Sequence, residues 1–244
     1  MVYSSKQNPL IKEIASLKEK KHRLKLGLYI AEGIKMVNEA ISNNLPIRYI
    51  VSTECALKEI KPTNLEVIVV TNEVFSHISE EMTPQGALAV IKISNLDLKA
   101  PTSNALILDG VSNPGNMGTI IRTANAFGYR DIYLINCVDV YNGKTIRASM
   151  SGIFFVNLYK ADYEDIKGLF KNHKIVVADM SGESLDNFKV DGNVAIVVGN
   201  EGNGISKEML NLADNVVCIP MQDTSESLNV AVACSIMMYK LRKM

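Results

Sequence analysis

The spacing of apolar and polar positions divides the chain into short, alternating elements. Asn8 and Pro9 precede Leu10, Ile14 and Leu17, whose i, i+4, i+7 spacing predicts a capped amphipathic helix with a basic outer face. Strands are expected at 28–30, 47–51, 66–70 and 87–91, with a helix over 34–41 between the first two. These elements make a small α/β unit. The stretch 94–104 (SNLDLKAPTSN) is polar, aperiodic and contains Pro101, which is the composition of a linker. Beyond it, apolar runs at 105–108, 131–135, 154–158, 175–178, 194–198 and 216–219 alternate with helix-like segments. Continuous apolar runs of this kind belong to a parallel sheet covered on both faces. A last helix is expected over 227–243, with Leu228, Val232, Ser235, Ile236 and Tyr239 on one face and Lys240, Arg242 and Lys243 at its negative end. The expected division is 1–93, a linker at 94–104, and 105–244.

Composition narrows the class. With 47% apolar and 21% charged residues in 244, the chain has the usage of a folded globular protein of one or two domains. The longest nearly apolar stretch, 228–239, falls short of the ~20 residues a membrane helix requires. No apolar signal segment opens the chain, so a cytoplasmic location without membrane association is expected. Cys55, Cys137, Cys218 and Cys234 lack C-x-x-C spacing and are expected to be buried free thiols. His22, His77 and His173 are equally scattered, and no metal site is expected. The net charge is zero, yet residues 1–26 carry seven basic against two acidic side chains, a local balance of +5. Such an arm suits either a solvated helix face or a phosphate backbone.

Ligands of open parallel sheets bind at the carboxyl ends of the strands, and three segments lie there. Asp109–Gly118 (DGVSNPGNMG) follows the run at 105–108 and opens a helix carrying Arg122. Gly199–Gly204 (GNEGNG) follows the run at 194–198; its G-x-x-G-x-G spacing is neither the dinucleotide fingerprint nor a P-loop. Ile219–Val230 (IPMQDTSESLNV) connects the last run to the last helix, with Thr224 or Ser225 as candidate caps. Taken singly, each has a plain structural reading as a turn or a cap.

Together and in this order, the three segments resemble the motifs of the SpoU (TrmH-like) RNA 2′-O-ribose methyltransferases of the SPOUT superfamily. The pattern D-x-V-x-N-P-x-N-x-G-x-I-x-R-x-A runs without a gap from Asp109 to Ala124; Gly199–Gly204 fits the second motif, and Ile219-Pro-Met with Ser227-Leu-Asn-Val the third. Asp223 departs from the pattern, standing where many members have Gly. Residues 27–92 resemble the L30e-like substrate-binding domain that many members carry in front. The resemblance implies an α/β fold: a C-terminal, trefoil-knotted, parallel-sheet methyltransferase domain preceded by a small L30e-like domain. It also implies S-adenosylmethionine as cofactor, no metal, and a homodimer that shares its active sites. Carried over, Val198, Gly199, Gly204, Ile219, Met221, Leu228 and Asn229 would hold the cofactor, and Asn113, Arg122, Glu201, Ser227 and Asn229 would form the reaction centre. The resemblance gives Arg122 as the proton acceptor, which leaves two readings, a transiently neutral guanidinium in a dry site or an anchor for phosphate that stabilises the developing alkoxide; Asn113 and Glu201 could hold its fork.

RNA, and no DNA, is the expected substrate, with large-subunit ribosomal RNA favoured over tRNA because the front domain resembles those of rRNA-acting members. Two other classes compete. A Rossmann-type nucleotide enzyme would need an acidic residue about 20 positions past the glycine loop, on a following strand, and Asp214 and Asp223 are poorly placed for it. A non-catalytic RNA-binding protein of the same fold would have no reason to carry Asn113, Arg122, Glu201, Ser227 and Asn229 together.

Overall fold

The computed structural model describes residues 2–224 and 226–242. The chain forms two compact units, one of residues up to 95 together with 141–154, the other of 96–140 together with the chain from 155 onward.

The first unit begins with β1 (Val2–Tyr3), α1 (Pro9–Ser16) and α2 (Lys20–Leu26), followed by β2 (Leu28–Glu32), α3 (Ile34–Ser42), β3 (Ile47–Thr53), α4 (Glu54–Leu57), β4 (Val67–Val70), α5 (Asn72–Ile78) and β5 (Ala87–Lys92). Its mixed sheet has the order β1-β4-β3-β5-β2. The Asn8 side chain accepts from Leu10 N at 2.9 Å and Pro9 opens α1, as the sequence predicts. Ile11, Ile14 and Leu17 are buried in one cluster with Tyr49, Phe75 and Ile78. The apolar side of the basic arm is therefore core. Part of its charge is structural as well: Lys18 Nζ donates to His77 O and Ser79 O at 2.8 Å each, and the buried Arg23 donates to Leu17 O and Lys18 O at 2.7 Å each. Lys12, Lys20, Lys21 and Lys25 remain exposed.

The second unit contains β6 (Ala105–Asp109), α6 (Pro114–Phe127) and β7 (Asp131–Ile135); after the excursion through α7 (Gly143–Ser149) come β8 (Asn157–Lys160), α8 (Tyr163–Leu169), β9 (His173–Ser184), β10 (Asn193–Val198), α9 (Lys207–Leu210), β11 (Asn215–Cys218) and α10 (Val230–Leu241). The six strands are parallel throughout, in the order β11-β9-β10-β6-β7-β8. One face is filled by Tyr133, Tyr159, Ile166, Phe170 and Met209, with the two tyrosine rings stacked at 5.0 Å. On α6 and α10, Ile120, Ile121, Ala124, Ala231, Cys234, Met237 and Met238 are buried.

Several elements differ from the sequence pattern. The run expected as a strand at 154–158 starts as a 3-10 turn, Gly152–Phe155, and pairing with β7 begins only at Asn157, opposite Asp131. The chain is turned there by Met150 and Ser151, both left-handed at φ 47° and 69°. Residues 96–104 form no strand or helix, but they are bonded to the second unit. Tyr133 Oη donates to Lys99 O at 2.6 Å, His173 Nε2 lies 2.9 Å from Ser103 O, and the buried Asn104 side chain accepts from Val194 N and donates to Leu241 O at 3.0 Å each. The last helix starts at Val230, not 227, because Asn229 caps it by accepting from Ala231 N and Val232 N. Thr224 is an exposed turn residue, not the cap, and Ser225 and Lys243 lie outside the described residues. Of the cysteines only Cys234 is buried, its thiol pushed up to about 12 by desolvation; Cys55 is exposed.

Candidate active site

Three loops at the carboxyl ends of β6, β10 and β11 carry the predicted residues. The first is organised from both ends. Asp109, buried at the end of β6, accepts from Tyr163 Oη at 3.0 Å and from Ser206 N at 2.8 Å, which ties the first loop to the segment that opens α9. Asn113 caps α6, its Oδ1 accepting from Gly115 N at 2.8 Å and Asn116 N at 3.3 Å, and Pro114 takes the first helical position.

The second loop closes on itself. Asn200 N donates to Gly204 O at 2.8 Å and Gly204 N to Asn200 O at 3.0 Å. Gly199 is required by this closure, since a Cβ there would lie 2.2 Å from Gly204 O. Gly204 adopts φ 69°. Asn200 also donates to Gly110 O at 2.8 Å, joining the loop to the first one.

Glu201 is the hub. Its Oε2 accepts from Ser112 N at 3.0 Å and Ser112 Oγ at 2.6 Å, and its Oε1 from Asn113 N and Asn116 Nδ2, both at 3.0 Å. Partial burial raises its pKa, but these hydrogen bonds outweigh burial and hold it at about 2, so it is a fixed anion at neutral pH. Asn116 continues the network, its Oδ1 accepting from Asn229 Nδ2 at 3.0 Å. A chain of side chains thus runs from Glu201 through Asn116 to Asn229 and links all three loops.

The structure brings Asn113, Glu201 and Asn229 together through Asn116. It does not bring Arg122 to them. Arg122 is exposed on α6, nine residues beyond the cap and so about 13 Å along the axis. Among the described residues no bond joins Asn113 or Glu201 to its guanidinium; the Asn113 Oδ1 accepts from backbone amides at the start of α6, and the Glu201 carboxylate from Ser112, Asn113 and Asn116. Ser227 and Leu228 are exposed and lead into the Asn229 cap. Val198 is buried at the end of β10, Gly199 and Gly204 close the second loop, and Ile219 and Met221 are half-buried in the third. Asp223 is exposed in a turn without positive φ, so that position makes no demand for glycine here.

Ser112, Asn116, Asn200 and the anchoring role of Asp109 escaped the sequence reading. Asn116 had a signal, as the second asparagine of N-P-x-N; Ser112 occupies a position the pattern leaves free. Among the described residues no group of three His, Cys, Asp or Glu side chains converges as a metal site. No helix among them is long and apolar enough to cross a membrane.

The site and the fold have close counterparts. Residues 103–239 match the model of the SpoU rRNA Methylase family, and residues 8–89 match an MRM3-like substrate binding domain. The chain is 31% identical over 243 residues, 98% of each chain, to the 23S rRNA (guanosine(2553)-2′-O)-methyltransferase RlmP of Bacillus subtilis (strain 168). It is 30% identical to the 23S rRNA (guanosine-2′-O-)-methyltransferase RlmB of Coxiella burnetii, across 77% of this chain and 80% of that one. The AdoMet-bound rRNA methyltransferase from Sinorhizobium meliloti superposes with a TM-score of 0.88 at 28% identity, covering 98% of this chain and 96% of that one. With the three loops in order on a six-stranded parallel sheet, and the family model matching more than half its length, this chain belongs to the SpoU rRNA methylase family.

Proposed function

We propose that the protein is an S-adenosylmethionine-dependent RNA 2′-O-ribose methyltransferase acting on large-subunit ribosomal RNA. The observation that carries this is the network joining Glu201, Ser112, Asn113, Asn116 and Asn229 across three strand ends. The two relatives named as 23S rRNA methyltransferases support the choice of rRNA. The residues present fit the cofactor. Gly199 puts bare backbone at the end of β10, where a Cβ would meet Gly204 O, and the half-buried Ile219 and Met221 supply apolar surface for an adenine. Val198, Gly199, Gly204, Ile219, Met221, Leu228 and Asn229 would hold it.

When bound, the sulfonium supplies a methyl group electrophilic enough to need no metal. The protein's task is to orient the ribose hydroxyl in line and to manage one proton. Glu201 acts by position: as a carboxylate committed to the first loop, it fixes Asn113 and, through Asn116, Asn229. Arg122 anchors RNA phosphate and stabilises the developing alkoxide. Ser227 and Asn229 position substrate and cofactor at the start of α10.

The reading includes a homodimer and the trefoil passage of the family. The dimer is supported by the outward face of α10, where Val232, Ile236 and Tyr239 are 47%, 38% and 57% exposed beside a fully used inner face. It would also explain Arg122, which finds no partner among the described residues and would serve the site of a second copy. The front unit and the exposed Lys20, Lys21 and Lys25 would select the RNA. The test is incubation of the full chain with methyl-labelled S-adenosylmethionine and 23S rRNA transcribed in vitro, followed by nuclease digestion and mass spectrometry. Label on a ribose is expected; label that leaves with the free base would refute the assignment.

A further inference from the structure

Residues 141–154 lie inside the stretch matched by the methylase family, yet they pack as part of the first unit. The second unit's chain leaves β7, runs through α7 and returns at β8. Within the first unit α7 is held by specific side chains. Arg147 Nε lies 3.0 Å from Glu81 Oε1 and its Nη1 3.7 Å from Glu80 Oε2. The Tyr141 ring sits 4.8 Å from that of Tyr29. Gly143 lies so close to Glu80 that a Cβ there would be 1.8 Å from its Oε2. Thr145, Ile146 and Ser149 are buried.

The turn that presents Glu80 and Glu81 is itself braced. Glu32 accepts from Ser79 Oγ and, at 3.2 Å, from Glu80 N, while Lys18 Nζ holds His77 O and Ser79 O from the other side. Two adjacent carboxylates, Glu80 and Glu81, face the Arg147 guanidinium, which is 30% exposed, while Lys18 and Arg23 line the same recess as Glu32 and Glu80. Without the Arg147 cation Glu80 and Glu81 lose the counter-charge that α7 brings to them. The exit from α7 through two successive left-handed residues, Met150 and Ser151, is unfavourable for non-glycine residues and persists only where packing dictates the path.

We propose that Arg147 is a positioning residue for RNA binding: through Glu80 and Glu81 it seats α7 within the first unit, and the hold of that unit on RNA depends on this seat. This rests on the proposed function for the role of RNA, but the seating itself does not. Arg147 touches neither reacting atoms nor the three loops, so its removal should act on RNA presentation alone.

The experiment uses the full-length chain with 23S rRNA transcribed in vitro. Arg147→Ala should raise KM for RNA about tenfold, leave kcat at saturating RNA within about twofold and leave the Kd for S-adenosylmethionine unchanged. Amide hydrogen exchange over 143–150 should accelerate. The charge-exchanged pair Arg147→Glu with Glu81→Arg should recover most of the RNA KM and the protection, whereas Arg147→Glu alone should be worse than Arg147→Ala. Unchanged exchange in Arg147→Ala, equal weakening of cofactor and RNA, or failure of the exchanged pair to recover would overturn the proposal. If the wild-type chain transfers no methyl to this RNA, the proposed function fails, and the exchange measurements still decide whether Arg147 seats α7.

Discussion

Glu201→Gln probes the centre of the site most directly. The carboxylate accepts four hydrogen bonds, two from backbone amides and two from side chains. An amide can keep the two bonds on its oxygen, but its NH2 then faces two donors. Held at about 2 against an ordinary 4.5, the wild-type carboxyl would contribute about 3 kcal/mol if fully desolvated. Glu201 is exposed, so solvent screening reduces the expectation to about 1 kcal/mol. Because the folded pKa lies below the unfolded one, this contribution is fully present above pH 4.5 and is lost as pH falls toward 2. Urea unfolding of both proteins between pH 3 and 7 isolates it as a difference, since every other carboxylate is common to the two. The wild type should exceed the variant by about 1 kcal/mol at pH 7 and by less at pH 3, with activity at pH 7 lower by about a hundredfold if the network orients the reactants. A stability gap that is zero at pH 7, or equal at both ends of the range, would refute the hub reading of Glu201.

Four further outcomes are expected. Gly199→Ala should cost about 1–3 kcal/mol from the Cβ forced against Gly204 O, and calorimetry should show cofactor affinity weakened at least tenfold. Arg122→Ala should lower kcat about a hundredfold or more with cofactor Kd unchanged, and mixing it with Asn229→Ala chains should recover activity where a site is completed by two copies. Val232→Asp with Ile236→Asp on the exposed face of α10 should give monomers by sedimentation that keep the helix content of the wild type, because both side chains lie in the exposed stripe of the protomer. Charge reversal at Lys20, Lys21 and Lys25 should weaken RNA binding and flatten its salt dependence, by about 0.7 in slope for each phosphate no longer neutralised; Lys18 is left intact because it braces the turn at 77–79.

Local signals decided much of this molecule. The Asn8-Pro9 start of α1, the apolar runs that became β6, β7 and β10, and the turn residues of the three loops are properties of neighbouring residues, and each was legible as such. The run at 154–158 misled because apolarity does not say where a neighbour offers pairing: β8 begins at Asn157, where β7 presents Asp131. In the third loop Thr224, Ser225 and Asn229 are all competent caps, and Asn229 caps α10 while its Nδ2 also reaches Asn116 on α6. Glu201 and Ser112 are 89 residues apart, and a hydrogen bond across that distance has no signature in either segment. The stripe of Val232, Ile236 and Tyr239 on α10 was legible as one apolar face, but periodicity cannot report what covers it. The packing of residues 141–154 with the first unit is likewise invisible in sequence, because its partners, among them Tyr29, Glu80 and Glu81, lie tens of residues away. Residue types and their spacing determined which elements form and which loops can do chemistry; the assignment of partners across tens of residues was made only by tertiary packing, where burial and charge select among groups that are locally equivalent.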